Sequence, residues 1–137
     1  MADEKNIQEK YLQFQQLQQH LEQITQHLEM LHQQQQEIVF SIEALKELQA
    51  AKPHTEILAP VANGIFFKAE LKGRQKLLVN VGADVTVEKT IPEVIELLEK
   101  QKEMIIGNIT KAENVFQELQ GQGMKIYQEV ETGLHSE

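Results

Sequence analysis

Ile65-Phe66-Phe67-Lys68-Ala69-Glu70-Leu71, residues 65–71, decide how this chain is read. Ile65, Phe67, Ala69 and Leu71 alternate against Phe66, Lys68 and Glu70, the period of two that belongs to a strand. Pro60 and the tight-turn pair Asn63-Gly64 precede it, so residues 55–59 are expected to form the first strand of a hairpin. Behind it Lys72-Gly73-Arg74-Gln75 reverses the chain, and Leu77, Val79 and Val81 alternate against Leu78 and Asn80. Gly82-Ala83-Asp84 turns it again into Val85 and Val87, with Thr86 and Glu88 between and after them. Residues 53–89 therefore predict four short strands in two hairpins.

Outward from this segment the period changes to 3.5 on both sides. On the N-terminal side Ile7, Phe14, Leu17, Leu21, Ile24, Leu28, Leu31, Ile38, Ile42 and Leu45 recur at steps of four and three, the seam of a coiled coil. On the C-terminal side Ile95, Leu98, Ile105, Ile109, Ala112, Phe116, Leu119, Ile126 and Val130 repeat the pattern. Pro53 closes the first helix, predicted over 3–51, because it lacks an N–H and forces its predecessor out of the helical region. Thr90-Ile91-Pro92-Glu93 has capping-box spacing and opens the second, predicted over 90–132, with Gly107, Gly121 and Gly123 weakening it. Polar Gln35, Gln49 and Lys102 interrupt the seams.

Each narrow apolar stripe needs a partner, and a compact linker brings the two together most simply as an antiparallel pair. The fold class is mainly α with a small β part: a long antiparallel coiled-coil hairpin joined by two β-hairpins, in one domain spanning 1–137. The first helix would be roughly 70 Å long at 1.5 Å per residue, an arm set on a base.

Composition narrows the function. A net charge of −8 argues against nucleic acid or anionic membrane as the partner, since both require clustered Lys and Arg. Without cysteine there are no disulfides and no thiolate metal sites. Met1–Tyr11 lacks the apolar run of a signal peptide, and no stretch suggests a membrane span, so a cytoplasmic location is expected. His20, His27 and His32 are not spaced to present two ligands on one helix face, so no metal is expected. Neither a phosphate-cradling loop nor an activated nucleophile is visible, so no catalytic residue, cofactor or enzyme activity is expected.

Two small hairpins cannot hide their own apolar faces or strand edges. Ile57, Ile65, Phe67, Leu71, Leu77, Val79, Val81, Val85 and Val87 are therefore expected to meet other subunits, with the strands completing an oligomeric β-barrel.

The runs Glu56–Leu71 and Val79–Thr90 closely resemble the α-type subunits of the prefoldin family, and the order helix, two hairpins, helix extends the resemblance along the whole chain. Two positions depart from the family pattern, which usually carries glycine where this chain has Ala62 and commonly where it has Asp84. The resemblance implies an ATP-independent holding chaperone. In it, two α-type and four β-type subunits form a β-barrel body with six coiled-coil tentacles, whose tips capture unfolded polypeptides and pass them to a group II chaperonin.

Capture of a non-native chain requires adaptable apolar surface with a polar rim. Tyr11 and Leu12 lie off the first seam and Met124 and Tyr127 off the second, and antiparallel pairing brings them to one level, where Phe14 faces Gly123. These residues, with Val130 and Leu134, are the expected client-binding set. Val39, Phe40, Leu48, Val94 and Leu97, also off the seams, are expected to pack against the body or a neighbouring arm. A structural scaffold or filament former, polymerised through its hairpins, is the competing reading of the same residues.

Overall fold

A computed structural model describes residues 2–73 and 76–135, with side chains over 4–73 and 76–133. In chain order it consists of helix α1 (Ala2–Ala50), strands β1 (Glu56–Ala62), β2 (Ile65–Glu70), β3 (Lys76–Gly82) and β4 (Val85–Thr90), and helix α2 (Ile91–His135). Both helices begin and end within three residues of the boundaries expected from periodicity. Neither is broken at a glycine, because Gly107, Gly121 and Gly123 all stay within α2. The residues pack as two compact units, a coil unit of Met1–Gln36 with Met104–Glu137 and a hairpin unit of Glu37–Glu103.

In the coil unit the two helices run antiparallel. Lys10 of α1 reaches Glu129 of α2 at 3.0 Å, Phe14 lies beside Gly123, and Leu31 packs with Ile109 and Ala112, so α2 numbers fall as α1 numbers rise. The seam residues are the covered ones: Leu31, Ile109 and Ala112 are buried, with Ile24, Leu28 and Ile105 packed around them. Lys10 occupies the seam step between Ile7 and Phe14. Its side chain is 31% exposed and that of Glu129 43%, so this bridge closes the stripe at a worth of about 1 kcal/mol at most.

In the hairpin unit Ile42, Leu71 and Ile91 are buried. Ile91 stands four residues ahead of Ile95 and begins the second seam one step earlier than the heptads alone indicated. The segment after α1 folds through backbone hydrogen bonds, with the His54 amide donating to the Leu71 carbonyl at 2.7 Å and the Leu71 amide to the Thr55 carbonyl at 3.0 Å. Leu71, which makes both of these ties, is also buried within its own chain.

Thr90 ends β4 and caps α2. Its hydroxyl accepts from the Glu93 amide at 3.3 Å, the N-cap bond expected from the spacing, and donates to the Glu93 carboxylate at 3.0 Å, so the carboxylate reaches back to the Thr90 hydroxyl.

Candidate functional site

The two hairpins are the same object written twice. β1 pairs antiparallel with β2 from Glu56↔Glu70 to Ala62↔Ile65, and β3 with β4 from Lys76↔Thr90 to Gly82↔Val85, each with one irregularity just before the turn. Every position in the second is its counterpart in the first plus twenty, and the exposure patterns of β1 and β3 are identical. The turns differ. Gly64 alone carries the positive φ of the first, at 74°, whereas Gly82, Ala83 and Asp84 stand at 117°, 49° and 61° in the second. The Gly82 amide donates to Asn80 Oδ1 at 2.9 Å and steadies the approach to that tighter reversal.

Each hairpin is a two-stranded sheet with no third strand among the described residues. Leu58, Val61, Ile65, Phe66 and Phe67 are exposed on the first, and Leu78, Val81, Val85 and Val87 on the second. Of the residues expected to meet other subunits, Ile65, Phe67, Val81, Val85 and Val87 stand open, while Ile57, Leu77 and Val79 are half-covered by their own chain. Leu58, Phe66 and Leu78 escaped the sequence reading, because alternation assigns one face of a strand to water. Here both faces carry apolar side chains, and Leu78, at 72% exposed, is the barest of them. Isolated two-stranded hairpins are marginal in water, and apolar surface of this extent is uncommon on a chain that stands alone.

In the coil unit, at the end where α1 begins and α2 finishes, an open groove runs between the helices. One part, of ≈ 520 Å³, is lined by Tyr11, Phe14, Gln15, Gln18, Ile126, Tyr127, Val130 and Glu131. An adjoining part of ≈ 430 Å³ shares Phe14, Gln18, Tyr127 and Glu131 and adds Leu17, Leu21, Gln120, Gly123, Met124 and Gln128. Five of the seven expected client-binding residues, Tyr11, Phe14, Met124, Tyr127 and Val130, thus line one depression. Leu12 is exposed but lines neither part, and the side chain of Leu134 lies outside the described residues. The glutamines of the groove's wall were missed in the sequence, where they read as ordinary coil surface.

Phe14, which lines both parts of the groove, lies beside Gly123. A Cβ at Gly123 would lie 3.9 Å from Phe14 Cε2, so the ring spans ground that a side chain on α2 would otherwise fill. Tyr11, Met124 and Tyr127 are 58%, 64% and 59% exposed around it, amphipathic or pliable side chains suited to varied apolar surfaces. Among the described residues no three His, Asp or Glu side chains converge as a metal site, and no helix is long and apolar enough to cross a membrane.

Two long antiparallel helices, two open β-hairpins and an apolar groove in the coil define a coiled-coil class of protein. The prefoldin subunit model matches residues 4–134. Prefoldin subunit alpha of Archaeoglobus fulgidus is 29% identical over 130 residues, covering 95% of both chains, and that of Methanoculleus marisnigri is 30% identical over 130 residues, covering 95% of this chain and 87% of its own. Among solved structures, filamentous PFD from Methanocaldococcus jannaschii, determined by cryo-EM, superposes with a TM-score of 0.57 at 18% identity, over 91% of this chain and 98% of that one. The chain belongs to the prefoldin family, and its fold of two long helices and two antiparallel hairpins is the prefoldin fold. The family's role is that of a chaperone.

Proposed function

We propose that this chain is the α-type subunit of an ATP-independent cytoplasmic chaperone, assembled as two α with four β subunits, that captures unfolded polypeptides in the groove of its coil and delivers them to a group II chaperonin. The observation that carries this reading is the Phe14–Gly123 groove with its exposed rim of Tyr11, Met124 and Tyr127. Such a depression offers pliable apolar contact without shape selection, which suits a client that has no fixed shape. The open hairpins supply the second requirement, since strands of β-type subunits pairing with their free edges would cover them and close a barrel.

The experiment is to mix the chain with a β-type partner and dilute a denatured protein into the complex. Aggregation should be suppressed without nucleotide, and removing Met1–Leu12 with Gln122–Glu137 should abolish suppression while the oligomer keeps its size. Suppression undiminished by that truncation would reject the reading.

A filament former is the second reading, favoured by the likeness to a filamentous structure. Light scattering separates the two: the chain alone would grow into an open-ended polymer if it is a filament former, and would close into a small particle only with a β-type partner if it is a chaperone subunit.

A further inference from the structure

The charge of this molecule is unevenly spread. The coil unit holds ten acidic and four basic residues, against eleven and nine in the hairpin unit, so the coil carries most of the net −8. One of its four cations, Lys10, is engaged with Glu129 at 3.0 Å. Among the described residues no Lys or Arg lines the groove, whereas Glu131 lines both of its parts.

Resting on the proposed capture of unfolded chains, we infer that this groove selects non-native segments in which an aromatic or long aliphatic side chain stands next to lysine or arginine. The apolar side chain enters over Phe14 and Gly123. The neighbouring cation meets Glu131 and the faces of Tyr11 and Tyr127, which attract an ammonium or guanidinium through their ring quadrupoles. Gln15 and Gln128 offer both donors and acceptors to the main chain of an extended segment, whose own amides and carbonyls are unpaired. An anionic segment with the same apolar residues would meet repulsion from the coil and no compensating cation in the groove. The acidic surface thus acts as a filter as well as a solubilising coat.

The test uses the assembled oligomer containing the full chain and unstructured fluorescent peptides. Three share a Leu-Phe-Leu centre and carry flanks of lysine, glutamine or glutamate; a fourth keeps the lysines around a serine centre. The lysine-flanked apolar peptide should bind about tenfold tighter than the glutamate-flanked one in dilute buffer, with the glutamine-flanked peptide between them. At about 1 M salt, where screening acts within ~3 Å, the preference should collapse. Glu131→Lys, with helicity unchanged by circular dichroism, should shrink the ratio in dilute buffer. Equal affinity for lysine and glutamate flanks overturns the charge selection and leaves apolar capture standing. Equal binding of the serine-centred peptide overturns it in favour of simple adsorption, and a ratio untouched by Glu131→Lys removes the cation from this groove. Binding of none of the four defeats the capture reading and this inference together.

Discussion

Phe14 lies against Gly123, its Cε2 3.9 Å from where a glycine Cβ would stand, so a large residue on α1 faces an absent side chain on α2 beside the groove. Around Leu31, Ile109 and Ala112 the seam pairs aliphatic residues and closes. The groove is therefore a local omission in a repeating pattern, and its size should respond to the side chain placed at position 123.

Gly123→Ala adds a methyl group at ordinary contact distance from Phe14 and removes a poor helix former, so it should raise the thermal stability of the coil by about 1 kcal/mol. Gly123→Leu would occupy the groove, and the assembled protein should lose most of its suppression of aggregation while remaining folded. Retained suppression with Gly123→Leu would show that client contact lies elsewhere.

Gly107 and Gly121 are exposed in α2, and a Cβ at either would meet nothing within 4 Å. Replacing each with alanine should stabilise by about 1 kcal/mol, additively, and leave capture unchanged. Chemical denaturation of the assembled oligomer reads the first effect and aggregation kinetics the second.

Much of this structure was legible in the sequence because heptads and alternation are packing rules written in residue spacing. Ile24, Leu28 and Leu31 could be assigned to a seam without knowing what they touch, and the level at which Phe14 meets Gly123 followed from antiparallel counting. The hairpins were less transparent. Alternation presumes one covered face, yet Leu58, Phe66 and Leu78 are exposed beside Ile65, Phe67 and Val81, so both faces carry apolar side chains that the described residues leave open. Alternation also left the burial of Leu71 within its own chain unread, and no side-chain pattern encodes its backbone ties to His54 and Thr55.

The second turn stores strain that a single substitution would release. Ala83 and Asp84 both stand at positive φ, and a Cβ there costs roughly 1–2 kcal/mol, less for Asp than for Ala. Ala83→Gly should stabilise the assembled protein by about 1 kcal/mol. Ala62→Gly should give no such gain, because Ala62 is a strand residue without positive φ. Urea midpoints of the two variants, compared in one buffer, decide this.

Thr90→Ala would remove both hydrogen bonds that the Thr90 hydroxyl makes with Glu93 at the junction of β4 and α2. A loss of about 1 kcal/mol is expected, and Thr90→Ser should restore most of it, since the hydroxyl serves as acceptor and donor. Failure of serine to rescue would place the effect in the methyl group's packing.

Leu58 and Leu78 occupy equivalent positions of the repeated hairpin, twenty residues apart, and are 62% and 72% exposed. If each hairpin docks against strands of another subunit, both side chains become buried there, and each should contribute about 1.5–3 kcal/mol to assembly. Leu58→Glu or Leu78→Glu would instead bring an unpaired carboxylate into that contact, at a cost of several kcal/mol, while removing no packing from the free chain. Each variant should shift the oligomer to smaller species by light scattering, and the double variant should leave only free subunits at concentrations where the unmodified protein is fully assembled. Far-ultraviolet circular dichroism should meanwhile report unchanged helix content, because the coil's buried residues Leu31, Ile109 and Ala112 are untouched. An oligomer of unaltered size with both glutamates in place would mean that these faces stay in water after assembly, and that the subunits join through the strand edges or the helices alone.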